Sequence, residues 1–250
     1  MVAGMSTPSV NPAHAYRVAL RPMADGTLKQ VNPFSGTEVW TVPGRGNRPL
    51  AAAGAPPVPL MPGAHTDTCN FCEARKLRTP PERSRLVADG DGFRILRDVM
   101  PDALDATVAQ FRRVPNLFEI VSYDYWQKNY GYEMPAGRRE HMERYLADPA
   151  GRDHVLETVR TRLAAAGQDA DLPDTQLLEY APAYFGGGHD VIIARHHYVD
   201  GAERSDQLAG SGALSTDEHY RFIAFTLDSL RDLVEQHTYA RYVVVFQNWL

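Results

Sequence analysis

Cys69 and Cys72 are the only cysteines among the 250 residues, and they stand in C-x-x-C spacing. Two thiolates so spaced can hold half of a tetrahedral metal site, which then needs a histidine or another ligand from elsewhere in the chain. A redox pair would open a helix directly after a strand, and Pro56, Pro57, Pro59 and Pro62 upstream argue against that setting. A pair of unligated thiols is the third reading. Arg45 and Arg48 lie three apart in Pro43-Gly44-Arg45-Gly46-Asn47-Arg48-Pro49. Glycines there would let the backbone approach a ligand, and two guanidinium forks can grip a phosphate, although a solvated basic loop has the same composition. Asn116 follows Pro115 in a loop, where its amide can read a ribose or phosphate oxygen or cap its own turn. His196 and His197 follow the apolar run 191–194, where one of them could complete a metal shell begun by the cysteines or both could be incidental.

These residues must be placed by a mixed fold. Strand-like runs occur at 16–20 and 38–42 around the turn Asn32-Pro33-Phe34-Ser35-Gly36, at 93–96, at 118–121 and at 191–194. The uncharged run Tyr242-Val243-Val244-Val245-Phe246-Gln247-Asn248 reads as a buried central strand, with Asn248 at the end where open sheets bind ligands. Helices are expected over 138–146 and 152–166, the second carrying Val155, Val159 and Leu163 on one face and stopping at Gly167. Ser215 and Glu218 form a capping box that opens a long helix, whose Phe222, Ile223, Phe225, Leu227, Leu230 and Val234 should cover one face of the sheet. The aromatics Tyr123, Tyr125, Trp126, Tyr130 and Tyr132 are read as packing before base stacking. Gly186-Gly187-Gly188 fits neither dinucleotide nor P-loop spacing.

Residues 1–15 read as a mobile tail and 16–250 as one domain with a helical insertion at about 123–170. A net charge of −5 speaks against a general nucleic-acid binder, and no apolar run is long enough to span a bilayer. Without a basic segment and apolar stretch at the N-terminus, a cytoplasmic location is expected.

Four blocks together resemble the galactose-1-phosphate uridylyltransferase family, the nucleotidyl-transferring branch of the histidine-triad superfamily. They are the segment 32–49 with its two arginines, the C-x-x-C pair, Val114-Pro115-Asn116-Leu117-Phe118, and Gly188-His189-Asp190-Val191-Ile192-Ile193 with Phe246-Gln247-Asn248. The resemblance implies an α+β, histidine-triad-like antiparallel sheet covered by helices, with a structural zinc held by Cys69, Cys72 and His197, or His196 in its place. It implies phosphate or nucleotide contacts from Arg45, Arg48, Asn116 and Asn248, and a nucleotide sugar and a sugar phosphate as partners. Leu117 and Glu119 depart from that family's Asn-Asp-Phe-Pro pattern.

In that family an imidazole attacks the α-phosphorus of a UDP-sugar and the uridylyl-histidine is opened by a sugar 1-phosphate. The nucleophile belongs to a His-x-His motif after the asparagine. It is therefore expected beyond Leu250, and these residues alone are expected to bind without transferring. A zinc-stapled protein- or phosphate-binding module and a related nucleotide phosphorylase or hydrolase are the alternatives. Homodimerisation is left open.

Overall fold

The computed structural model describes residues 19–43, 56–61, 69–119, 121–195 and 197–247; Arg45, Arg48, His196 and Asn248 lie outside the described residues. Gly26 and Gly36, both at positive φ, set the turns that join β1 (Leu20–Pro22), β2 (Leu28–Val31) and β3 (Glu38–Thr41) into an antiparallel sheet in that order. The sequence reading passes over β2, because Leu28-Lys29-Gln30-Val31 is poor in β-formers; pairing on both sides makes it a strand.

A second sheet carries the site. β4 (Ser84–Asp89) and β5 (Gly92–Arg97) form a hairpin, α1 (Pro101–Ala106) follows, and β6 (Ala109–Pro115) pairs with β4 on one side and with β7 (Asp190–Ala194) on the other. Its order is β5-β4-β6-β7, antiparallel throughout, so β7 is an edge strand.

Between β6 and β7 the chain leaves the sheet for α2 (Tyr123–Tyr130), α3 (Ala136–Ala147), α4 (Pro149–Ala165), α5 (Asp174–Leu177) and α6 (Pro182–Gly186). Each boundary has a local cause. The Ser122 hydroxyl accepts from Tyr125 N, Gly131 ends α2 at φ 65°, and the Asp148 carboxylate, just before Pro149 opens α4, accepts from Gly151 N. Val155, Val159 and Leu163 are fully buried, in a cluster with Tyr145, Leu177, Tyr184 and Phe185. Within it His154 accepts from Tyr145 Oη at Nδ1 (2.8 Å) and donates from Nε2 to Thr79 O (2.7 Å), which ties α4 to the segment entering β4. The aromatics at 123–132 serve packing: Tyr123, Tyr125 and Tyr132 are buried, and Tyr125 Oη accepts from Trp40 Nε1, docking the first sheet on α2.

The last helix, α7 (Thr216–Gln236), has the expected capping box: Glu218 N donates to Ser215 Oγ, and Ser215 N donates to Glu218 Oε2 at 2.8 Å. Phe225 packs against Leu86 and Phe111 of the sheet. Ile223, Leu227 and Val234 do not, and stay exposed, so the apolar arc of α7 is wider than the face it covers.

Two expected strands are corrected. Of the expected strand 118–121, Phe118, Glu119 and Val121 are not in a strand, and Ile120 lies outside the described residues: Phe118 N donates to the Asn116 side chain and Glu119 N to Asn116 O, which turns the chain out of β6. The run 242–247 is not a buried central strand either; it has no strand partner among the described residues, and Tyr242, Val244 and Phe246 are exposed. Its composition favours pairing, but Tyr239 intervenes, stacked on Trp126 with its hydroxyl donating to Tyr130 O (2.6 Å), and this steers the chain towards α2 as it leaves α7.

Phe225→Ala should destabilise the fold by about 3–5 kcal/mol in chemical denaturation, since the ring is fully buried. Burial holds the His154 pKa below its ordinary value. The unfolded chain then takes up this proton more readily, so the contribution is present above about pH 6.5 and lost as pH falls. Denaturation midpoints should drop on acidification through that range, with a smaller drop in His154→Gln.

Candidate metal centre and adjoining cavity

Arg112 sits on β6 with its guanidinium buried, donating to Glu82 Oε1 (3.2 Å) and to Phe71 O (2.6 Å). Glu82 is shared with Arg85, which donates to both of its carboxylate oxygens. This buried charge network fixes the peptide between the two cysteines onto the sheet. Cys72 N donates to Cys69 O (3.2 Å), giving a knuckle that leads into a 3-10 helix over Glu73–Arg78. His197, three residues past the end of β7, completes the group: its Nδ1 lies 3.4 Å from Cys69 Sγ and 3.3 Å from Cys72 Sγ.

The three ligand atoms all lie within 4.8 Å of one another. Metal–sulfur bonds of about 2.3 Å and metal–nitrogen bonds of about 2.0 Å to one tetrahedral ion put S and N roughly 3.5 Å apart, so the donors fit. The ionisation of the thiols is already biased. Burial raises Cys69, yet hydrogen bonds from His197 and from the backbone at Phe71, with the His197 charge, bring it down to about 7. Burial and the neighbouring Cys69 push Cys72 up to about 12. Cys69 is thus biased towards the thiolate and Cys72 towards the thiol, and a bound divalent ion would favour the thiolate at both. Of the two histidines weighed from sequence, His197 is placed with the cysteines.

His197 also lines a cavity of about 870 Å³ that runs along the free side of β7. Its walls include Phe71 from the knuckle, Asn116 and His189 at the other end of the strand, Leu230 and Leu233 from α7, and the run 243–247. Asn116 caps its own turn, as one of its two sequence readings has it, and its Nδ2 also lies 3.2 Å from His189 Nε2. Three polar atoms on the walls, His197 Nε2, Thr226 Oγ1 and Gln247 Nε2, are enclosed without a hydrogen-bond partner among the described residues.

Behind the Asn116 end lies a charge cluster that the sequence reading missed. Arg113 donates to Asp190 (2.7 Å) and Asp232 (2.6 Å), Arg83 pairs with Asp190 (2.7 Å), and Arg138 pairs with Asp232 (2.9 Å). Burial would raise Asp190, but Arg113, Arg83 and Arg138 hold it below the ordinary carboxylate value. A signal was available: Arg112-Arg113 interrupts an otherwise uncharged strand, and a charged pair at such a position must find partners on both faces.

The glycine run is explained here. A Cβ on Gly187 would fall 2.5 Å from Glu119 Oε2, and one on Gly186 2.6 Å from the Tyr123 ring. Glu119 Oε1 accepts from Gly188 N (2.7 Å) and His189 N (2.9 Å). Burial raises this carboxyl to about 7 against those hydrogen bonds and the Arg83 charge.

Two outcomes follow. Purified protein should carry about one metal ion per chain, and Cys72→Ser should lose it, as read by elemental analysis; a ratio near zero in the wild type would refute the centre. Because folding raises the Glu119 pKa, its contribution is complete below its unfolded value and lost as pH rises through about 7. Glu119→Gln, which keeps the acceptor, should remove that alkaline loss, seen as a smaller fall in denaturation midpoint from weakly acidic to weakly alkaline buffer.

Among the described residues no helix is long and apolar enough to cross a membrane. Comparison with curated proteins and with solved structures returns no match. A family model, described as a domain of unknown function, DUF4921, matches residues 23–250. With nearly the whole chain inside that match, the protein belongs to the DUF4921 family.

Proposed function

We propose that this domain is a zinc-stapled, histidine-triad-like nucleotide-binding domain of the nucleotidyltransferase type, resembling galactose-1-phosphate uridylyltransferases, and that its ligands are a nucleotide sugar and a sugar phosphate. One observation carries the reading. Motif blocks far apart in sequence, Phe71 between the cysteines, His197, Asn116, 188–193 and 246–247, contribute walls to a single cavity, and His197 joins it to the two cysteines. Its volume suits a small organic ligand, and its unpartnered polar atoms offer hydrogen bonds that a sugar or nucleotide can satisfy.

Two thiolates and an imidazole favour zinc over the harder cations. Its role in this reading is structural: Cys69, Cys72 and His197 would clamp the knuckle to the end of β7 and so hold one end of the cavity. Asn116, oriented by Phe118 N, would present its amide at the other end together with His189. Arg45, Arg48 and Asn248 keep the phosphate role that the resemblance implies. The reading assigns nucleotide binding to these residues and names no nucleophile among them. The rival, a protein-binding module that uses the aromatics at 123–132, is disfavoured by the burial of Tyr123, Tyr125 and Tyr132.

Calorimetric titration with UDP-glucose and with UMP tests this. Asn116→Asp keeps the acceptor for Phe118 N but loses the amide donor, and should weaken binding about tenfold, or about 1.4 kcal/mol, at an unchanged melting temperature. Absence of heat with either ligand, or equal affinity in the variant, would count against the proposal.

A further inference from the structure

Glu119 is one of the two residues that depart from the Asn-Asp-Phe-Pro pattern, and the resemblance gives it no role. The fold nevertheless builds it in behind one end of the cavity. Its Oε1 accepts from Gly188 N and His189 N, its own N donates to Asn116 O, and Asn116 N donates to His189 O at 2.8 Å. Asn116, Gly188 and His189 all line the cavity, so this carboxyl lies behind the wall by the thickness of one peptide. Gly187 admits it, since a Cβ there would strike Oε2.

The charges around the carboxyl leave its own ionisation to decide their balance. Arg83 precedes β4, Arg113 lies on β6 and Arg138 on α3, and against them stand Asp190 of β7, Asp232 of α7 and Glu119 itself. With Glu119 ionised, three cations meet three anions. With Glu119 neutral, one positive charge is left over behind the cavity wall. The other titratable groups at this place are uncharged near neutral pH. Burial and the Arg138 and Arg83 charges hold His237, whose ring faces Gly188, down to about 4, and burial raises the Tyr132 hydroxyl above its ordinary value. Asn116 Oδ1 is taken by Phe118 N, which leaves Nδ2 to face His189 Nε2 at 3.2 Å, so that ring nitrogen accepts and carries no proton.

We infer that an anionic ligand in the cavity is bound together with a proton, and that Glu119 is the residue that takes it up. This rests on the nucleotide reading above. A phosphate beside Asn116 and His189 and an ionised carboxyl one peptide away repel each other in a poorly screened place; protonation of Glu119 removes the repulsion and leaves the surplus arginine charge unopposed. The proton comes from solvent and forms an O–H bond at Oε2, while Oε1 keeps both amide hydrogen bonds. The free protein is poised for this exchange, because burial already raises the carboxyl to about 7 against those hydrogen bonds and Arg83. Below that pH the proton is in place before the ligand arrives. Above it the ligand must draw the proton in, so affinity falls as pH rises, by about tenfold from pH 6 to pH 8 for a site that binds only the protonated form.

UDP-glucose is the probe, because its diphosphate diester keeps the same charge over that range. Calorimetry of the full chain at pH 7, in two buffers of different ionisation heat, should show about half a proton taken up per ligand bound, and this comparison uses the wild type alone. Affinity should fall about tenfold from pH 6 to pH 8. Glu119→Gln, which keeps an acceptor for the two amides, should bind at pH 8 as the wild type binds at pH 6, with no proton uptake. Binding without proton uptake in the wild type, or a pH dependence that survives in Glu119→Gln and so belongs to His189 or another group, would overturn the inference and leave the nucleotide reading standing. Absence of binding at every pH would overturn both.

Discussion

Two consecutive arginines in the middle of β6 hold the molecule to its two functional ends. Neighbouring strand residues point to opposite faces, so Arg112 and Arg113 must each find partners in a different layer. Arg112 reaches Glu82 and the carbonyl of Phe71, fixing the cysteine knuckle, while Arg113 reaches Asp190 and Asp232, fixing the start of β7 to α7. Buried ion pairs are weak evidence of net stabilisation. Losing one partner is another matter, since the remaining charge is left uncompensated at a cost of about 3–5 kcal/mol. The sequence is therefore committed to all of these partners together, and the candidate metal ligands and the cavity inherit their geometry from them.

This explains how chemistry from distant parts of the chain comes to one place. The cysteines precede β4, Asn116 follows β6, and His189 and His197 bracket β7. Along β7 the metal group stands at one end and the Asn116–His189 pair at the other, with the cavity between. His197 belongs to both features: its Nδ1 faces the sulfurs, and its ring borders the cavity. A metal bound there would be coupled to the shape of the cavity through that imidazole, whose Nε2 has no hydrogen-bond partner among the described residues.

Local signals in the sequence were legible where local physics decides. The α4 stripe of Val155, Val159 and Leu163, the Ser215–Glu218 capping box and the C-x-x-C pair are written in spacing alone, and each stands where the spacing puts it. The run 242–247 is harder, because its β propensity says that it will pair without saying with what. The anchoring of Tyr239 on α2, far away in sequence, decides that it misses the sheet edge in this chain. Glu119 is a similar case: nothing near it predicts a carboxyl buried beneath a glycine run, because the glycines that make room for it lie about 70 residues on. Charge networks assembled across layers leave only a faint trace, here two arginines in an otherwise uncharged strand.

The most direct measurement is a crystal structure of the chain grown with UDP-glucose, with anomalous data collected on both sides of the zinc absorption edge. The account predicts one zinc peak among Cys69, Cys72 and His197, and nucleotide density in the cavity beside Asn116 and His189. A metal bound elsewhere, or a nucleotide bound outside that cavity, would contradict it.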